Sequence, residues 1–433
     1  MAAIKIAYVG GGSTRAPGTM ASFIESGEDF AGSEIVLVDL DPSRLEIVAR
    51  LAENMIRSRG CDLTVSWTVD RRQALVDCDA VLSSFRPGGF EARVQDERIP
   101  LVHGVIGQET QGPGGFFMGL RAVSVLKEIC AEVEEICPQA WIFNYTNPVN
   151  IVAQAITANS PVSVVSLCEG PLLFTERFAR AASLEPARLK STMIGLNHAC
   201  WSVEHTYDGV DVMPLVREAW EQHRDDPSLR TLDRRMLRLA LAMDAIPAEY
   251  FQYYYFRDDV LEELRARPTT RAEDILSWTG DYWAHYEQQS REPDPQLDPS
   301  RSRGGLHELE LAIDVMDAIF NDKNEVHPVN RPNDGGVLQG FPETLVVELP
   351  GCCSASGIAV APQPPLPTHV RGLIEMLAEY QLLAADAAWS GDRRQAIRAL
   401  ASNPLVMTLE LAERLFAEMA AAHAAYLPAR LLN

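Results

Sequence analysis

The sequence predicts an α/β fold, with a Rossmann-like doubly wound parallel sheet first and a mainly helical α+β part after it. Three observations carry this. Short β-branched apolar runs alternate with helical stretches over the first part of the chain, the signature of βαβ units. The first run, Ile4 to Val9, ends in the glycine turn Gly10-Gly11-Gly12-Ser13-Thr14. From Pro171 onward the alternation gives way to longer helical tracts. A chain of 433 residues exceeds one ordinary core, so two domains are expected, 1–165 and 166–433.

Composition narrows the function. An apolar fraction of 47% and a charged fraction of 23% are those of a soluble globular protein. Lys plus Arg number 38 against 60 Asp plus Glu, a formal charge of −22, which disfavours nucleic acid or an anionic membrane as partner. Any anionic substrate must therefore be held by local arginines. No run approaches the length of a membrane span, and the N-terminus lacks the pattern of a signal peptide. The eight cysteines contain no CxxC pair and read as reduced thiols, so a cytoplasmic location is expected.

In chain order, the first strand and its turn come first. Glycines between strand and helix let the backbone approach a pyrophosphate at the helix N-terminus, which makes Gly10, Gly12 and Ser13 candidate cofactor contacts. Arg15 stands where the third glycine of GxGxxG is usual, so this motif alone is compatible with an ordinary glycine turn. The second strand, Ile35 to Val38, ends at Asp39 and Asp41. An acid at that strand end bonds a ribose hydroxyl and repels a 2′-phosphate, so Asp39 points to NAD rather than NADP. Asp41, directly before Pro42, is expected to cap the next helix.

Further strands are expected at Leu63 to Trp67, Ala80 to Phe85 and Trp141 to Asn144. Two glycine-rich segments, 86–93 and 107–115, read as irregular loops at strand ends, where a substrate would lie. In Asn144-Tyr145-Thr146-Asn147-Pro148 the Asn-Pro step favours a turn and leaves the asparagine side chain free for a ligand. The run Val162 to Leu167 ends at Cys168-Glu169-Gly170-Pro171, answered by Gly195-Leu196-Asn197-His198. A buried strand thus delivers a soft ligand and a carboxyl to the sheet's carboxyl edge, although a lone cysteine is more often a small buried hydrophobe. Of the aromatic run Tyr250-Phe251-Gln252-Tyr253-Tyr254-Tyr255, most members suit a core and one could be an acid or base. Residues 290–304 read as an exposed loop or lid. Helices are expected over 366–390 and 404–424, alanine-rich and suited to packing or oligomer contact. No internal repeat is found.

The ordered set Gly10-Gly11-Gly12-Ser13, Arg93, Gly107-Gln108-Glu109-Thr110, Asn144-Tyr145-x-Asn147-Pro148, Cys168-Glu169-Gly170-Pro171, Gly195-Leu196-Asn197-His198 and Tyr250-Phe251-Gln252-Tyr253-Tyr254 resembles glycoside hydrolase family 4, the NAD- and divalent-metal-dependent glycosidases. The resemblance runs from the first strand to the C-terminal helices and implies a lactate/malate dehydrogenase-like fold. It implies that domain 1–165 binds NAD+ and that 166–433 holds metal and substrate and forms a homodimer or homotetramer. Cys168 and His198 would bind Mn2+ (or Co2+, Ni2+ or Fe2+). Asn147 would serve cofactor and sugar, and Asn197, Arg93 and Arg271 would lie at the substrate. Tyr250 would be the base and Glu169 the acid. The family's usual residue after the metal cysteine is Asp, Asn or His, so Glu169 is a departure.

The implied reaction is glycoside cleavage by transient oxidation at C3, proton loss at C2, elimination and water addition. Arg93 and Arg271 favour an anionic sugar, a 6-phosphoglycoside before a uronide or a neutral glycoside. The alternatives are a net 2-hydroxy acid dehydrogenase and a non-catalytic NAD-binding module.

Overall fold

Strands are separated by helices from the first residues to the end of the sixth strand, with two helices in succession between the fourth and fifth. In the computed structural model, which describes residues 2–303 and 309–432, the order is β1 (Lys5–Val9), α1 (Ala16–Glu25), β2 (Ser33–Val38), α2 (Pro42–Arg59), β3 (Leu63–Thr68), α3 (Arg71–Leu75), β4 (Ala80–Ser83), α4 (Gly89–Val102), α5 (Gly112–Ile136), β5 (Trp141–Asn144), α6 (Val149–Asn159), β6 (Ser163–Ser166) and α7 (Gly170–Ala181). All five pairings among these strands are parallel. Their spatial order, β3-β2-β1-β4-β5-β6, is that of the doubly wound dinucleotide fold.

Both faces of this sheet are covered, as the unbroken apolar runs require. Ile6, Tyr8, Leu37, Leu82 and Phe143 pack with α1, α2 and the helix Glu310–Phe320 on one face. Ala7, Val9, Val36, Val81 and Ile142 pack with α5, α6 and the helices Thr368–Ser390 and Leu409–Ala422 on the other. Asp41 caps α2 as expected, accepting from Ser43 N and Arg44 N.

The later strands are β7 (Leu189–Ser191), β8 (Ile194–Leu196), β9 (Ala199–Ser202), β10 (His205–Tyr207), β11 (Val210–Asp211), β12 (Ile246–Pro247), β13 (Glu325–Pro332), β14 (Val346–Ser354) and β15 (Gly357–Val360). Among the described residues β7, β10 and β11 form a small separate sheet, and the others extend the parallel sheet beyond β6 to twelve strands. The boundary expected at 165/166 falls inside β6, and one sheet runs across it. The segment 290–303 is irregular apart from a turn at Pro299–Arg301; residue 304, the last of the expected loop, lies outside the described residues.

The glycine-rich segments differ from expectation, because α4 and α5 begin inside them. The glycines of α5 serve close approach at a helix start that carries Pro113 in its first turn. A Cβ on Gly114 would stand 2.4 Å from Gln108 O, and one on Gly115 2.3 Å from the Thr110 carbonyl carbon. Only glycine fits there.

The junction of α4 and α5 is held by charge. Arg121 Nη1 and Nη2 donate to Asp96 Oδ1 and Oδ2 at 3.0 and 2.6 Å, and His423 Nε2 lies 2.9 Å from Asp96 Oδ1. Burial alone would raise the Asp96 pKa, but Arg121 and His423 outweigh it and hold the carboxyl below its ordinary value. Arg121→Leu strands a buried carboxylate, so stability measured by urea unfolding should fall by about 3–5 kcal/mol. Arg98→Ala, which breaks the more exposed pair with Glu273, should cost under about 1 kcal/mol.

Candidate active site

The carboxyl edge of the parallel strands gathers most of the expected residues. After β6, Leu167 N continues the ladder to Asn144 O, which places Cys168 at the edge, where Gly170 N at the start of α7 donates to its sulfur at 3.3 Å. His198 comes from a two-residue turn between β8 and β9 and has φ +64°, a left-handed conformation that such tight hairpin turns require. Its Nε2 stands 3.4 Å from Cys168 Sγ. Nδ1 is 3.0 Å from Thr110 Oγ1, an arrangement that orients the ring and leaves Nε2 for a ligand.

Tyr250 stacks on the His198 ring, centroids 3.8 Å apart and planes 7° from parallel. Stacking covers the face of the imidazole and leaves its edge, where the Nε2 lone pair lies, open. Burial pushes His198 down to about 4, so the imidazole is neutral and able to bind a cation. Burial pushes the Cys168 thiol up to about 12, so the sulfur carries a proton until a cation displaces it.

These two side chains fit a divalent cation. Donors about 2.1 and 2.3 Å from one ion span 3.4 Å when the angle between them is about 100°. Among the described residues no cluster of three or more His, Cys, Asp or Glu forms a complete protein cage. The remaining positions would fall to water or substrate oxygens.

The pair lies in a cleft of about 430 Å³ that Arg15, Glu109, Asn147, Glu169 and Tyr250 also line. Among the described residues Asn147 Oδ1 is buried without a hydrogen-bond partner, an acceptor available to a ligand. Glu169 Oε1 accepts from Tyr145 OH at 3.3 Å. At the glycine turn, a Cβ on Gly10 would stand 2.1 Å from Ser84 O, so the turns after β1 and β4 meet at the switch point. Gly12 N donates to Asp39 Oδ2 at 2.9 Å, and Ser13 Oγ is buried with no partner among the described residues. A short-chained turn at a helix start, an open hydroxyl and a carboxylate at the end of β2 fit a dinucleotide.

The family 4 glycosyl hydrolase model matches residues 5–184, and the model for the family's C-terminal domain matches 193–406. The chain belongs to glycosyl hydrolase family 4. It is 36% identical to the "Probable 6-phospho-beta-glucosidase" of Bacillus subtilis (strain 168), over 98% of this chain and 97% of that one. It is 31% identical to the 6-phospho-beta-glucosidase of Escherichia coli (strain K12), over 98% and 96%. The structure of the 6-phospho-beta glucosidase from Thermotoga maritima with NAD and glucose-6-phosphate superposes with a TM-score of 0.85 at 25% identity, covering 98% of this chain and 99% of that one.

In this family 4 chain the expected arginines part company. Arg271 is exposed at the start of its helix, with its guanidinium over the Trp278 ring at 5.0 Å, and does not line the cleft. Arg93 is buried just behind the cleft wall, 2.6 Å from Glu109 Oε2 and 2.7 Å from Glu97 Oε1. Asn197 also turns from the cleft, donating to Glu348 Oε1 at 2.8 Å.

Sequence reasoning did not single out Glu109. Arg86 and Arg93 pair with it and Arg303 acts on it as well; burial would raise its pKa, but these cations hold it well below the usual carboxylate range. Arg15 adds its charge to Arg86 and Arg303. Four guanidiniums thus gather around Glu109, with Glu97 and Glu169 close by, in a chain of charge −22. Thr110 and Glu348 were missed too, although Glu109 and Thr110 lie in a motif that the resemblance singled out.

Binding of a cation should release the Cys168 proton, since between about pH 5 and 8 the thiol is protonated and His198 is not. With Mn2+ as probe, affinity should rise about tenfold per pH unit over that range. Isothermal titration in buffers of different ionisation enthalpy would measure one proton released per ion; an affinity flat with pH would contradict the assignment.

Proposed function

We propose that this chain is an NAD+- and Mn2+-dependent glycosidase acting on 6-phosphoglycosides. The observation that carries the reading is the Cys168–His198 pair, 3.4 Å apart, in a cleft shared with Asn147, Glu169 and Tyr250. The relatives support the phosphorylated substrate, and the 6-phospho-beta-glucosidase names of the two relatives above favour a β-linked glucoside. The arginines gathered around Glu109 at the cleft support a 6-phosphate rather than a neutral sugar. The eight free cysteines suit a reducing, cytoplasmic setting. No helix among the described residues is long and apolar enough to cross a membrane.

When bound, NAD+ supplies reversible oxidation at C3 and Mn2+ supplies Lewis-acid polarisation of the C2 and C3 oxygens. The chain's residues do the rest. Cys168 and His198 would hold the cation, and Thr110 keeps the imidazole in its binding orientation. Gly10, Gly12 and Ser13 would receive the pyrophosphate, and Asp39 the ribose. Asn147 Oδ1 accepts from a hydroxyl or amide of the bound pair, orienting sugar against cofactor.

Tyr250 takes the C2 proton. Burial pushes its phenol well above the ordinary value, so it needs the neighbouring positive charge to act as a base. Glu169 gives a proton to the departing O1, its carboxyl steadied by Tyr145. Elimination and water addition at C1 would follow, and return of the C3 carbon to its alcohol would leave no net oxidation.

The nitrophenyl β-glucoside 6-phosphate should be hydrolysed without net NADH, and the unphosphorylated glycoside should lose most of kcat/KM. Accumulating NADH would favour a dehydrogenase instead. Tyr250→Phe should lower kcat and C2 exchange in deuterated water by about 10²–10⁴-fold while NAD+ binding persists; unchanged exchange would remove Tyr250 as the base.

A further inference from the structure

Glu348 is a buried carboxyl that no step above uses. It lies on β14, 0% exposed, and its Oε1 accepts from two carboxamides, Asn197 Nδ2 at 2.8 Å and Asn330 Nδ2 at 3.0 Å. The Cys200 thiol and the His198 backbone N–H also face the carboxyl, and among the described residues no other donor reaches Oε2. Removing a carboxyl from water is costly, and the strand register shows what this one joins.

Cys168 follows β6 and His198 follows β8, and these strands do not pair; β13 and β14 stand between them. Asn330 of β13 lies opposite Ser166 of β6, two residues before Cys168. Glu348 of β14 lies opposite both Asn330 and Gly195 of β8, three residues before His198. The bridge Asn330–Glu348–Asn197 therefore crosses the two intervening strands. Its far end, Asn197, is the residue directly before His198 in the turn between β8 and β9, so the carboxamide held by Glu348 sets where that turn sits.

We propose that Glu348 is a positioning residue: through Asn197 and Asn330 it fixes the spacing of the Cys168 sulfur and the His198 imidazole on which cation binding depends. This rests on the metal-dependent reading above. The acceptor oxygen does the positioning, so a neutral group of the same shape serves in its place.

The test is Mn2+ binding, read as loss of the free-ion electron paramagnetic resonance signal, in wild type, Glu348→Ala and Glu348→Gln, with NAD+ affinity measured alongside. Glu348→Ala should weaken Mn2+ by about 10–100-fold and leave NAD+ affinity unchanged. Glu348→Gln, which keeps one oxygen for both carboxamides, should bind Mn2+ nearly as wild type does. Asn330→Ala removes one donor only and should shift Mn2+ affinity in the same direction, which keeps the question answerable if Glu348→Ala does not fold. Three results would overturn the proposal: full Mn2+ affinity in Glu348→Ala or Asn330→Ala, joint loss of Mn2+ and NAD+, or a Gln variant as weak as the Ala one. A wild type that binds no Mn2+ would remove the metal reading and this inference with it, whereas equal affinities in wild type and Glu348→Ala remove this inference alone.

Discussion

The site depends on two donors that the chain makes on unrelated segments and that only the sheet brings together. Cys168 is the end product of a parallel strand, and His198 sits in a hairpin turn of the antiparallel extension. Their meeting at 3.4 Å requires the parallel and antiparallel parts to share one continuous sheet, since a hinge between them would let the spacing drift. A metal site tolerates little drift, because a soft sulfur and a borderline nitrogen must reach one ion at fixed bond lengths. The antiparallel strands β13 and β14 therefore belong to the site although they supply no ligand.

The second constraint is electrostatic. A chain of charge −22 repels anions at long range, so recognition of a phosphate must be local and desolvated. Four arginines from four segments gather around Glu109. Glu109 keeps these guanidiniums from repelling one another apart, and its own ionisation is secured by them. Burial also holds His198 neutral and Cys168 protonated, so the pocket without its cation carries no imidazolium or thiolate.

Much of this was legible in the chain. The parallel strands, the glycine turn, Asp39 at the end of β2 and the Asp41 cap follow from hydrophobic runs and turn chemistry, which act over short stretches. The cleft constellation was legible only through an ordered set of motifs, because nothing local to Cys168 separates a ligand from a packed thiol. Glu348 lies 151 residues from Asn197 and reads in the sequence as an ordinary strand acid between apolar neighbours. The arginine cluster was hidden for the same reason, with members as far apart as Arg15 and Arg303. The starts of α4 and α5 were obscured because glycines that serve close packing look, in one dimension, like glycines that serve a loop.

A cation held by two protein side chains has an unfinished coordination sphere. If the sugar's oxygens finish it, each partner strengthens the hold on the other by the same factor, since linkage is reciprocal. The ion then behaves as a co-substrate as much as a resident of the protein, gripped while sugar is present and exchangeable once product leaves. Metal content at purification would in that case record the history of substrate exposure rather than the identity of the working ion.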